Sequence, residues 1–364
     1  MLRIFNQANL FKERIAIESD DKEFSYSDLM HKSDLIASFL LSDKNDLNEE
    51  RVGFLINPNV DYICILWGIW KAGGIAVPLS LSAKKAELEH FISDSDIKLI
   101  ISSKECISRN NVPNLDYLRV KDLEDLTLNN SKDLPSLLPE RKAMILYTSG
   151  TTSQPKGVVV SHRNIESQIT TLVEAWEWKK EDRIPLFLPL HHIHGIINSL
   201  SCPLFVGAKV SMIGPFDVKK VCKQVSKGGF TVFTAVPTIY FSLIEELEDF
   251  KDQSLFDGFR SMRLMMSGSA ALAPEIHKKW KELTGQELLE RYGMTEVGMA
   301  LSNEFSGERR PGSVGVTLPG VEVKLEDEDG NIIEKEGEAG QLLIRGPQVF
   351  VEYLNLPEKT KESF

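Results

Sequence analysis

Cysteine is scarce in this chain, with four among 364 residues. Cys64, Cys106, Cys202 and Cys222 show neither a CxxC pair nor zinc-finger spacing, which excludes a disulfide scaffold and a structural zinc module. Cys64 and Cys202 lie in apolar runs and read as buried free thiols, which suits a reducing, cytoplasmic setting. Excess positive charge is also lacking. A formal net charge of −11 leaves no overall basic character for nucleic acid or anionic membrane, so neither is expected as a partner. An anionic small molecule is still admitted, because local potential decides there. The first residues, Met1 to Asn6, carry no long apolar core and acids begin by Glu13, so neither a secretory signal nor a transit peptide is expected. One stretch, Ile184–Ala208, is uncharged and long enough to span a bilayer. Three His, three Pro and two Gly interrupt it, and it reads instead as a buried strand–helix–strand passage.

What is present is a globular composition, 42% hydrophobic and 26% charged, in a chain long enough for two or three subdomains. Apolar β-rich runs alternate with amphipathic helical patterns. Strands are expected at 51–56, 75–78, 99–102, 143–148, 183–188, 208–212, 232–235, 263–267 and 287–291. Helices are expected at 59–71, 84–93, 164–176, 217–228, 237–247 and 274–283. This alternation predicts an α/β fold of stacked, mostly parallel sheets with helices on their faces. From about Ser313 the texture changes to short alternating strands at 313–316, 321–325 and 341–345, joined by acidic, Gly-bearing turns. That predicts a small antiparallel β-barrel or sheet. The expected organisation is α/β subdomains over 1–312, the β subdomain over 313–356, and the start of a continuation over 357–364.

The densest chemical signal is Thr148 to Gly157, which packs five Ser/Thr hydroxyls, two glycines and Lys156 between apolar runs. Such a loop offers backbone N–H groups, O–H donors and one mobile cation to an anion, above all to phosphate. It is not a Walker loop, because Lys156 follows Pro155 and precedes Gly157. A second string is Glu290-Arg-Tyr-Gly-Met-Thr-Glu296. A flat aromatic stacks on a purine and a hard carboxylate binds a hard cation beside phosphates, although alone the string is more often a turn with a helix cap than a site. The third is Leu188-Pro-Leu-His-His-Ile-His194-Gly195, where three imidazoles within four positions each need a polar partner if buried.

Together these strings resemble the adenylate-forming superfamily of acyl-CoA synthetases, luciferases and peptide-synthetase adenylation domains. The phosphate loop of that family reads Ser/Thr-Gly-Thr-Thr/Ser-Gly-x-Pro-Lys-Gly, and Ser153 departs from it where Gly is usual. The resemblance implies binding of ATP with Mg2+, activation of a carboxylic acid as its adenylate, and transfer to coenzyme A. It implies that Thr148, Ser149, Gly150, Thr151, Thr152 and Lys156 cradle the β- and γ-phosphates. Ser267, Gly268 and Ser269 would form the wall between adenine and acyl group. Tyr292, Gly293 and Met294 would line the adenine site, Thr295 would contact the α-phosphate, and Glu296 would hold the metal. His192 would contact the reacting carboxylate and gate the acid pocket, and His194 would line it. The family continues beyond the last residues here, with an Asp that holds the ribose and a mobile C-terminal domain carrying a catalytic Lys. Neither is in this sequence, so low activity is expected of the chain alone.

Arg291 is the clue to the acid. It reads either as a surface ion pair with Glu290 or Glu287, or as a bidentate clamp for a second carboxylate. With His194 it suggests a short, polar pocket. The His-His-Ile-His-Gly, Glu-Arg-Tyr-Gly-Met-Thr-Glu and Pro311-Gly-Ser-Val-Gly strings resemble malonyl- and methylmalonyl-CoA synthetases. A fatty- or aryl-acid ligase and a non-catalytic nucleotide-binding module are the alternatives.

Overall fold

The computed structural model describes residues 2–19, 21–110, 112, 119–122, 132–148, 154–250 and 252–364. They form two compact units. The first comprises Met1–Glu166, Lys179–Asp217 and Phe350–Phe364; the second comprises Ser167–Trp178 and Val218–Val349.

The first unit holds two sheets. In the smaller, β1 (Ile15–Ser19) pairs antiparallel with β2 (Lys22–Ser25) and parallel with a later strand, Lys209–Met212, which itself runs parallel to Arg183–Leu186. The larger sheet has seven strands. Its parallel part is built from β3 (Arg51–Leu55), β4 (Ile75–Pro78), β5 (Leu99–Ser102), β6 (Arg119–Asp122) and β7 (Lys142–Thr148) in the order β7-β4-β3-β5-β6. β8 (Lys156–Ser161) returns antiparallel beside β7, and Glu352–Tyr353 closes that edge. The helices between these strands form for local reasons. Val60–Lys71 starts where Asn59 Oδ1 accepts from the Asp61 amide at 3.0 Å, and almost every residue in it is buried. Tyr26–Leu41, which has no counterpart in the expected helices, starts at a reciprocal cap between Ser25 and Asp28. The two helices meet closely at Gly68, where a Cβ would lie 2.6 Å from the Ile36 side chain. Under the large sheet, Leu55, Val77, Leu88, Ile92, Ile100, Ile145 and Val159 form a continuous apolar core.

The uncharged run Ile184–Ala208 folds as β9 (Arg183–Leu186), a π-helix (His194–Ser201) and a short helix (Cys202–Val206), and it leads into β10 (Lys209–Met212). The strand–helix–strand expectation therefore holds. Among the described residues no helix is long and apolar enough to cross a membrane.

In the second unit, β11 (Val232–Ala235), β12 (Leu264–Ser267) and β13 (Leu289–Met294) are parallel, and β14 (Gly298–Ser302) and β15 (Val316–Thr317) follow antiparallel. Its core is aromatic. Trp280 meets Tyr240 and Phe259 edge-on at 5.0 and 4.9 Å, and Tyr240 Oη donates to the Met266 carbonyl at 2.8 Å. The antiparallel structure expected after residue 313 is present as β16 (Glu322–Glu326) paired with β17 (Gln341–Arg345). Residues 316–317 belong instead to the five-stranded sheet, and β18 (Glu352–Tyr353) is the edge of the seven-stranded one. All four cysteines are buried free thiols.

Candidate active site

The candidate residues fall in both units. In the first, the Ser/Thr/Gly string is the connection of the β7–β8 hairpin. Thr148 pairs with Lys156 at its base. Ser149, Gly150, Thr151, Thr152 and Ser153 lie outside the described residues. Lys156 opens β8, and its Nζ stands 4.7 Å over the Tyr353 ring. The base of the hairpin is held by residues that sequence reasoning did not single out. His90 Nε2 donates to the Pro155 carbonyl at 2.8 Å, which sets the tautomer because the carbonyl only accepts. Tyr147 stacks on Phe91 with ring centroids 4.4 Å apart, and its hydroxyl donates to Asp94 Oδ2 at 2.8 Å. Burial and the Asp94 charge raise the Tyr147 pKa well above the ordinary phenol value, so the hydroxyl keeps its proton. Asn355 Nδ2 donates to the Asp94 carbonyl at 2.7 Å and ties the β18 edge to the helix Lys85–Asp94, which carries His90, Phe91 and Asp94.

The histidine string precedes and opens the π-helix. The His191 and His192 rings are in contact and tilted by 49°, 4.2 Å between centroids, and burial together with His192 pushes His191 down to about 4. His192 is exposed, and its carbonyl accepts from the Gly195 and Ile196 amides, both at 3.0 Å. Gly195 is required at that point because a side chain would run into the Pro189 carbonyl. His194 is buried.

In the second unit, β13 carries the Glu-Arg-Tyr-Gly-Met string and ends in the turn Thr295–Val297. The burial of its side chains changes along the strand, from buried at Leu289–Arg291 to exposed at Tyr292 and Met294. Tyr292 and Met294 are exposed, so the Tyr292 ring is available to a flat ligand, while Glu290 and Arg291 are buried. Glu290 does not pair with Arg291. Its Oε1 accepts from the Gly312 amide at 2.8 Å and faces His277 Nδ1 at 3.4 Å, while His277 Nε2 accepts from the Leu288 amide. Glu287 is engaged by Lys281. The surface ion pair considered for Arg291 is thus excluded.

Arg291 is 3% exposed and packs against Gly268. Its Nη1 donates to the Met299 sulfur at 3.2 Å, and its Nε and Nη2 have no hydrogen-bond partner among the described residues. Burial pushes its pKa down to about 10, yet it remains charged near neutrality. A desolvated cation with two idle donors is costly unless an anion arrives. On the neighbouring strand, Ser267 is buried and its hydroxyl also lacks a partner among the described residues. Ser269 sits at φ +70°, a left-handed conformation that a non-glycine residue holds only when its surroundings impose it.

The turn after β13 is pinned by Gln168, another residue the sequence did not mark. Its Oε1 accepts from the Met299 amide and its Nε2 donates to the Met299 carbonyl at 3.4 Å. Gly298, at φ +59°, leaves the room this clamp needs. Thr295 is half-buried and Glu296 buried in the turn. Among the described residues no group of three His, Cys, Asp or Glu is gathered for a metal.

A model of the AMP-binding enzyme family matches residues 4–354. The mitochondrial malonate–CoA ligase of Mus musculus is 39% identical, over 99% of this chain and 69% of that protein. The malonate–CoA ligase of Arabidopsis thaliana is 36% identical, over 99% of this chain and 65% of that protein. Among solved structures, apo MatB from Rhodopseudomonas palustris superposes with a TM-score of 0.88 at 30% identity, covering 100% of this chain and 74% of that one. A malonyl-CoA ligase with methylmalonyl-CoA and AMP bound gives a TM-score of 0.86 at 30% identity, covering 100% and 75%.

Proposed function

The chain belongs to the AMP-binding enzyme family, and from that membership we propose that it carries the adenylating core of an ATP-dependent acid–CoA ligase acting on malonate or methylmalonate. The observation that carries the choice of acid is the buried Arg291 guanidinium with Nε and Nη2 unengaged. A planar fork of donors suits a carboxylate, and the Ser267 hydroxyl on the adjacent strand can add a further donor. A fatty acyl chain would leave these donors unpaired, which opposes it.

The reaction has two displacements. A carboxylate oxygen of the acid bonds to the α-phosphorus of ATP and pyrophosphate leaves. The thiol of coenzyme A then attacks the acyl carbon, loses its proton, and AMP leaves. The first step asks for positioning and charge neutralisation more than for covalent help. Lys156 supplies a cation to the β- and γ-phosphates, and the hydroxyls of Thr148, Ser149, Thr151 and Thr152 supply donors. Thr295 contacts the α-phosphate, Tyr292 stacks on adenine, and Gly293 and Met294 complete that wall. Glu296 would hold Mg2+, and the ion would supply positive charge toward the pyrophosphate side of the reaction. His192 and His194 serve the acid. Four buried thiols support a reducing compartment, and the cytoplasm is the one proposed.

ATP–pyrophosphate exchange tests the reading. Exchange should depend on malonate or methylmalonate and should be far weaker with butyrate, which has the same length without the second charge. Equal exchange with butyrate would overturn the dicarboxylate choice.

A further inference from the structure

The π-helix His194–Ser201 carries three polar side chains beyond His194, and two of them are spent on the backbone. Ser199 Oγ donates to the His194 carbonyl at 3.0 Å and Ser201 Oγ donates to the Ile196 carbonyl at 2.7 Å. Both bonds reach back five residues, which is the spacing of this wide helix. Asn198 is different. It is 1% exposed, and neither Oδ1 nor Nδ2 has a partner among the described residues. A primary amide brings two donors and an acceptor, and leaving all of them idle in an apolar interior is unfavourable. An apolar residue of equal size would serve packing better, as its helix neighbours Ile196, Ile197 and Leu200 do.

The position is informative as well as the chemistry. Where hydrogen bonds join residues five apart, residues four apart stand nearly above one another. Asn198 therefore shares a face with His194, the residue assigned to the acid pocket. π-helical segments are uncommon and occur frequently at functional sites. We propose that Asn198 is a specificity-determining residue for the acid, with its Nδ2–H donating to an oxygen of the short polar substrate and its Oδ1 accepting from a water carried with that substrate. This rests on the acid–CoA ligase reading. It adds an uncharged donor to the selection of the acid, independent of the Arg291 cation. An unsubstituted alkyl chain cannot satisfy the amide, so the residue acts against fatty acids as well as for a dicarboxylate.

The test is Asn198→Leu, which keeps the size and removes the polar atoms, assayed in the complete protein by ATP–pyrophosphate exchange with malonate and with butyrate. The expected result is a fall in kcat/KM for malonate of about tenfold or more, carried mainly by KM, as for loss of one hydrogen bond to a charged group. Butyrate should be unchanged or improved, and the melting temperature unchanged or raised. Asn198→Ala provides a second variant should leucine fail to fold. Its cavity lowers the melting temperature, but the malonate-to-butyrate ratio should still fall. If both variants keep the wild-type ratio, Asn198 is structural and the inference is overturned. A wild-type protein that exchanges pyrophosphate with neither acid overturns the ligase reading itself.

Discussion

The Arg291 guanidinium lies directly against Gly268, so that a Cβ at position 268 would fall 2.5 Å from Nη1 and 2.6 Å from Cζ. No real side chain tolerates that approach, and the guanidinium has little room to yield because Arg291 is fully buried. The glycine of the Ser-Gly-Ser string thus has a packing role of its own, apart from the wall proposed for that string. It admits the cation to the end of β12.

Gly268→Ala should therefore displace Arg291 without removing it. Overpacking of this kind typically costs about 1–3 kcal/mol of stability. The expected kinetic signature is a loss of malonate exchange at least as large as the loss for butyrate, with a folded protein by circular dichroism. Unchanged malonate kinetics would show that the guanidinium can relocate freely.

Arg291→Met removes the cation and keeps an unbranched side chain. Loss of one member of a buried charged pair costs about 2–5 kcal/mol, or roughly 30- to several-thousand-fold in selectivity for malonate over butyrate. Without ligand the same variant should melt higher than wild type, because burial has already pushed the Arg291 pKa down to about 10 and the charge is unpaired. Arg291→Lys should recover only part of the malonate activity, since a point charge cannot reproduce the fork. Equal losses for both acids would assign Arg291 to support of the β13 turn.

Lys156→Ala should cost about 1 kcal/mol of stability, the size of a half-buried cation's contact with the buried Tyr353 ring. Exchange activity should fall by about two to three orders of magnitude if the cation neutralises the phosphates. Glu296→Gln should weaken the dependence on Mg2+ concentration in the same assay. Full activity with a lowered melting temperature would make both residues structural.

The pH dependence of stability has a definite sign. Burial, followed by the Arg141 charge, lowers the His162 pKa to about 4, and His191 is lowered to about 4 by burial and His192. An unfolded histidine titrates near about 6.5, so between those values the unfolded chain binds more protons. The stability linked to neutral His162 is complete above about pH 6.5 and is lost as pH falls toward about 4. At most about 3 kcal/mol is at stake per residue. His162→Phe, which keeps the edge contact with Trp70, should flatten the melting-temperature profile over that window. An unaltered slope would place the titration elsewhere.

Much of this protein is written locally. The strands Ile75–Pro78, Leu99–Ser102, Val232–Ala235 and Gln341–Arg345 stand where period and punctuation put them, and most helix ends agree to within a few residues. Caps, glycines and apolar spacing are properties of neighbouring residues, so a linear reading captures them. Even the overlooked helix Tyr26–Leu41 had its signal in Ser25 and Asp28. The π-helix had none, because i→i+5 bonding has no side-chain period that distinguishes it from an ordinary helix.

The phosphate string, the Tyr-Gly-Met-Thr-Glu string and the family they resemble are likewise local, since such ligands are met by consecutive backbone and side-chain groups. The state of Arg291 is not. In sequence it stands beside Glu290 and four residues after Glu287, and an exposed ion pair is the simplest reading. Sheet order places β13 between β12 and β14, turns Glu290 toward His277 and Gly312, and seals Arg291 behind Gly268 and Met299. Gln168, 131 residues from the Met299 backbone it clamps, is legible only in the same way. Residue types and their spacing determined which chemistry is on hand. Tertiary packing decided which charges are desolvated and left without partners, because burial and pairing depend on strands and helices far apart in the chain.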